Sequence, residues 1–134
     1  MTCWPKHYPD KCPPEDAYFY DGILYRFTNR NNPSARDFKS FYENDPQKNW
    51  GELACQARGL SVVKCILGIR EMRAAIPALR KKKVSKAIIS SNYGMLANTP
   101  SSSSQNHCTW WVPQSISEPE QLFTATEESE LENV

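Results

Sequence analysis

Only five glycines interrupt the 134 residues, and none stands in a G-x-G-x-x-G or P-loop string, so a glycine loop that cradles phosphates has no place in this chain. The G-x-S-x-G nucleophile turn and the zinc-binding H-E-x-x-H string are missing as well. So are the His-x-Glu and Cys-x-x-Cys pairs that a zinc deaminase requires. No run of about 18 apolar residues exists, which excludes a membrane-spanning helix. The opening MTCWPKHYPDKCPP lacks the apolar stretch of a secretory signal, and the expected compartment is the cytoplasm. Neither sign of charge dominates: 16 Lys and Arg stand against 15 Asp and Glu, a net charge of +1. That near-neutrality argues against a dedicated nucleic-acid binder. With 40% hydrophobic and 23% charged residues, the composition fits one small globular domain and excludes a collagen repeat or a wholly disordered chain.

What charge there is lies unevenly. Glu127, Glu128, Glu130 and Glu132 crowd the last eight residues, and without these four the rest of the chain carries +5. The densest basic run is Arg80 to Lys83, with Lys86 close by. It fits the solvated end of a helix, where cations complement the dipole, or a contact for phosphates or an acidic partner. The five cysteines are expected to be reduced and mostly structural in a cytoplasmic protein. One spacing offers a metal alternative: Cys3, His7 and Cys12 fall in a turn-forming stretch, and Cys108 beside His107 can complete a zinc tetrahedron. The spacing matches no standard zinc knuckle.

Four prolines in residues 1–17 forbid a regular helix there and predict an extended arm, laid on the body by Trp4, Tyr8 and Tyr18. A globular domain follows over 18–123, and residues 124–134 read as an acidic flexible tail. Alternation in 23–28 predicts a strand with Ile23, Tyr25 and Phe27 on one face and Leu24, Arg26 and Thr28 on the other. Ser34 caps a short helix whose face carries Phe38, Phe41 and Tyr42. Residues 60–64 read as a second strand. Ile66, Ile69, Met72 and Ile76 form the stripe of a main helix at about 65–80, with a kink or restart expected at Pro77. Further strands are expected at 84–90, 93–99 and 107–112, the last after the loop Ser101–Ser104. Strands that gather late and do not alternate with helices favour an α+β fold, with one central, mainly antiparallel sheet.

Three segments carry candidate chemistry: Tyr25-Arg26, Ser61 after Gly59, and His107-x-Thr109-Trp110-Trp111. With the strands side by side, Arg26 clamps an anion, Ser61, His107 and Thr109 offer hydrogen bonds, and the two Trp give a stacking wall. The plainer reading makes Arg26 a structural bridge to Asp37 or Asp21, with one of Trp110 and Trp111 in the core and the other at the surface.

Tyr-Arg in a first strand and Gly-x-Ser in a second resemble the ADP-ribosyltransferase-like fold. The resemblance implies NAD held in a split sheet, with Arg26 and Ser61 in the first two places. The late-strand Glu of that fold has no counterpart near residues 105–112, where His107 stands instead. The strings CPPEDA, LYRF, ARDFKS, ARGLSV and HCTWW also look like a small uncharacterised bacterial family, over residues 12–112. That likeness implies a bacterial origin and attaches no activity to the chain.

Two functions compete. Small size, missing catalytic strings and an aromatic arm point to a non-catalytic protein-interaction module, antitoxin-like, immunity-like or a complex subunit, with another protein as partner and no cofactor. A homo-oligomer is compatible with this reading. The alternative is an NAD-binding, ADP-ribosyltransferase-like enzyme, inactive if the missing Glu is essential.

Overall fold

Strand-forming residues alternate across 22–28, and the computed structural model, which describes residues 2–132, builds its sheet around them. The strands are β1 (Tyr18–Phe19), β2 (Gly22–Thr28), β3 (Leu60–Val63), β4 (Lys83–Ile89), β5 (Met95–Asn98), β6 (His107–Trp111) and β7 (Thr124–Ala125). They form one sheet in the order β1-β5-β6-β3-β2-β4-β7, and every ladder is antiparallel. Among the described residues the helices are α1 (Phe41–Asn44), α2 (Ala54–Arg58), α3 (Ile66–Ala75) and α4 (Glu128–Glu132). The α+β class and the antiparallel sheet expected from the sequence are both present.

The two faces of the sheet follow from strand alternation. Leu24, Leu60, Val62, Leu96, Cys108 and Trp110 share the main-core face. Phe38 and Phe123 close it, their rings 4.9 Å apart. The opposite face is covered in two halves. Over β2, β3 and β4, helix α3 lays Ile66, Ile69 and Met72 on Tyr25, Phe27, Val63 and Val84. Over β5 and β6, the N-terminal segment and α2 cover Ala97 and Trp111 with Trp4, Tyr8, Cys12 and Cys55. Gly68 lets α3 approach the sheet closely, since a Cβ there would sit 2.8 Å from the side chain of Val63. Gly94, at φ +130°, leads into β5 where a Cβ would strike the carbonyl of Trp111.

Several expectations need correction. The main helix ends at Ala75 and not near 80, because Pro77 drives Ile76 into extended backbone (φ −125°, ψ 93°), and the restart expected at Pro77 is a 3₁₀ turn. The apolar stripe therefore stops at Met72, and Ile76 is exposed. The single helix expected after Ser34 is two short pieces, Ala35–Phe38 and α1, parted by extended Lys39 and by Ser40, whose side chain caps α1. Phe38 enters the core while Phe41 is 61% exposed, so they share no aromatic face.

The cysteines are not all reduced. Cys12 and Cys55 form a disulfide across 43 residues of sequence, with Cα atoms 5.5 Å apart. Nor is the acidic end a free tail over 124–132. Residues Thr124 and Ala125 pair with Lys86 and Ser85, and Leu131 is buried beside Tyr25, Ile69 and Val84. Arg73 and Lys86 hold Glu128 and Glu130 at 3.2 and 2.7 Å, and Arg70 donates to the carbonyls of Leu131 and Glu132. Residues 133–134 lie outside the described residues.

Candidate functional site

The sheet has a weak line at its centre. Strands β2 and β4 are registered over seven pairs, from Gly22↔Ile89 to Thr28↔Lys83. Between β2 and β3 only Tyr25 and Val63 are registered partners. Arg26 fills the break. Its Nη1 donates to the Ser61 carbonyl at 2.6 Å, and Nε and Nη2 both donate to the Asp37 carbonyl, at 3.0 and 2.8 Å. Its guanidinium also lies 5.3 Å from the centroid of the Phe38 ring. Arg26 is thus a structural bridge, as the plainer reading held, but to backbone carbonyls and not to a carboxylate. Burial pulls its pKa down to about 10, against the opposing charge of Asp37, so it remains a cation at neutral pH.

A groove of about 380 Å³ opens at this break, between α1 and α3. Phe27, Ile69, Met72 and Leu79 give it an apolar wall, while Phe41 and Ile76 stand at it with 61% and 39% of their surface exposed. Four cations line it: Arg26, Arg36, Lys39 and Lys82. Its one carboxylate, Asp37, is occupied locally. Asn29 N–H donates to Oδ1 at 2.9 Å, and Ser34 N–H and Oγ–H donate to Oδ2 at 2.9 and 3.3 Å. The groove therefore offers apolar surface and positive charge.

Of the sequence-derived site residues, Tyr25, Arg26 and Ser61 line this groove, and His107, Thr109, Trp110 and Trp111 do not. The Arg26 and Ser61 side chains do not meet. Ser61 alternates with Leu60 and Val62, which belong to the main-core face with Leu24, whereas Arg26 alternates with Tyr25 and Phe27 of the other face. Thr109 sits opposite Ser61 in the ladder and hydrogen-bonds Thr99 Oγ1 at 2.8 Å. His107 Nδ1 lies 2.9 Å from the Thr99 carbonyl, which only accepts, so Nδ1 carries the proton and donates. Burial chiefly, and the charge of Arg26, pull the His107 pKa down, opposed by the Thr99 carbonyl, which leaves a neutral ring at pH 7. The two Trp point to opposite faces, and both are fully buried because both faces are covered. Trp110 Nε1 donates to the Tyr93 carbonyl at 3.0 Å and Trp111 Nε1 to the Cys55 carbonyl at 2.9 Å. Neither is a stacking wall.

The metal quartet does not assemble. The Cys12 sulfur is bonded to Cys55, Cys108 is buried in the main core, and Cys3 is exposed. Among the described residues no group of three or more His, Cys, Asp or Glu is placed to hold a metal ion.

Sequence reasoning missed the groove residues Arg36, Lys39, Phe41, Ile76 and Lys82. The signal was the flanking of Asp37 by Arg36 and Lys39, and the basic run containing Lys82, whose Nζ donates to Asn29 Oδ1 at 2.7 Å across the groove mouth. Compared with family models, curated proteins and solved structures, the chain shows no match.

Proposed function

We propose that the protein is a non-catalytic interaction module whose groove between α1 and α3 receives a segment of a partner protein that combines apolar and acidic side chains. The carrying observation is the pairing of exposed Phe41 and Ile76 with four cations and a single, locally satisfied carboxylate. Large apolar side chains left in water beside fixed positive charge suit a partner that buries the first and neutralises the second. The protein already uses this chemistry on itself. On the neighbouring side of α3, helix α4 inserts Leu131 and gives Glu128 and Glu130 to Arg73 and Lys86. The NAD-transferring alternative has less support, because three Arg26 N–H groups are engaged by carbonyls and Ser61 belongs to the opposite face. The Cys12–Cys55 disulfide favours an oxidising compartment over the cytoplasm.

Fluorescent peptides that alternate Leu or Phe with Glu test the reading, measured against wild type and the Lys39→Glu/Lys82→Glu double variant. Binding should weaken with salt and fall by about tenfold or more in the double variant. Equal affinity in both proteins would remove the proposal. Preferred binding of a single-stranded RNA oligonucleotide would assign the groove to nucleic acid, and a concentration-dependent dimer that buries Phe41 would assign it to a second copy.

A further inference from the structure

A second cavity, of about 350 Å³, lies at the end of the sheet where β3 begins and β6 ends. The N-terminal segment, the Ala35–Phe38 turn and the loop after β6 enclose it. Its volume is in the range of small-molecule sites. Its charges are balanced, unlike those of the groove: Lys39 and Arg58 stand against Glu43 and Glu120, with His7 neutral among them. Burial, and to a lesser degree the charge of Arg58, lower the His7 pKa, opposed by Glu43.

The polar side chains here are well placed and incompletely used. His7 stacks on Tyr42, ring centroids 4.7 Å apart, and the Arg58 guanidinium lies 3.8 Å from the same ring. Arg58 Nη1 donates to the Ala54 carbonyl at 3.0 Å, which fixes the side chain. Yet His7 Nδ1 and Arg58 Nε are buried with no hydrogen-bond partner among the described residues. Buried polar atoms are almost always partnered, so two such atoms in one cluster beside a cavity call for an explanation. Glu43 gives one oxygen to the Ser40 N–H at 3.1 Å, and Glu120 makes no ion pair among the described residues. Phe38, Leu60, Val112 and Ile116 supply apolar wall.

We propose that this cavity binds a small zwitterion, an α-amino acid with an apolar side chain or a short peptide of such residues. Arg58 and Lys39, with the His7 N–H, take its carboxylate. Glu43 and Glu120 take its ammonium group, and the apolar walls receive its side chain. A simple anion leaves the two carboxylates unanswered, and a simple amine leaves the two cations so. The two sites share Lys39 and Leu60, but Glu120 lines only the second cavity and Phe41 only the first, so variants at those two positions tell them apart.

The test uses the full, oxidised chain and calorimetric titration with the twenty free amino acids and glycyl-leucine. At least one apolar member should bind, and its N-acetyl and methyl-ester derivatives, each lacking one charge, should bind about tenfold more weakly or worse. Glu120→Gln, an isosteric change in the 3₁₀ turn Pro119–Leu122, should weaken the parent ligand and leave the N-acetyl derivative unaffected. Phe41→Ser should change none of these affinities. The proposal fails if no member of the panel binds, or if the N-acetyl derivative binds as tightly as its parent, which would mark an anion site only. It fails equally if Glu120→Gln leaves the parent affinity unchanged.

Discussion

The two coverings of one sheet face reach the same burial by different means. Over β2 and β4 the cover is regular: α3 supplies a helical stripe, and α4 adds Leu131 with two ion pairs. Over β5 and β6 it is irregular: a proline-rich segment and the short α2 hold Trp111 beneath a disulfide. A segment with four prolines cannot form a helix and so cannot present a periodic apolar face. The covalent link supplies what periodicity supplies in the other half. A short irregular cover needs a cross-link where a helix needs only a pattern.

Breaking each device should loosen its own half. Reduction, or Cys55→Ser, should have the largest effect: a loop of 43 residues corresponds to about 4 kcal/mol of lost stability by chain entropy. Urea denaturation with and without reductant measures it, and a loss below about 1 kcal/mol would mean the segment holds itself in place. Arg26→Met, at the break between β2 and β3, leaves the carbonyls of Ser61 and Asp37 without their donors and should cost about 3 kcal/mol. Arg26→Lys should recover only part of this, because one ammonium cannot reproduce the fork. Leu131→Ala should cost about 2 kcal/mol, and the emission of Trp111 in the other half should stay unchanged.

The smallest effect separates the halves by pH. His7 and His107 both have folded pKa values below the ordinary 6.5. The unfolded chain therefore binds protons first, and stability falls as pH drops from about 6.5 toward the folded values. Glu128 and Glu130 are held below the ordinary 4.5 by hydrogen bonds from Arg73 and Lys86. Their contribution is full above 4.5 and is lost as pH falls through the lowered values. Denaturation midpoints across pH should therefore show two steps, and His107→Asn should shrink the upper step alone. A single step below pH 4.5 would mean that the histidines titrate alike in both states.

Much of the sheet was legible in the sequence, because β-branched and aromatic residues alternate in 22–28, 60–63 and 107–111 and the turns between are marked by Gly, Pro and Asn. The site was less so. Tyr25, Arg26 and Ser61 were located, but not the register, and a one-residue shift reverses every side chain. With Tyr25 opposite Val63, Arg26 falls opposite Val62 and never faces Ser61. The Cys12–Cys55 bond was hidden because pairing depends on distance in space, and five cysteines carry no spacing code. Leu131 was overlooked because one apolar residue among four glutamates has no period of its own. The groove was invisible because its cations come from segments 26, 36–39 and 82, joined only by the fold.

The break between β2 and β3 also bears on motion. The ladder across the middle of the sheet is reduced to one registered pair, so β1-β5-β6-β3 and β2-β4-β7 are joined there by the shared core and one guanidinium more than by backbone hydrogen bonds. In amide hydrogen exchange the amides along the break would then exchange before those of the long β2–β4 ladder and the β3–β6 ladder.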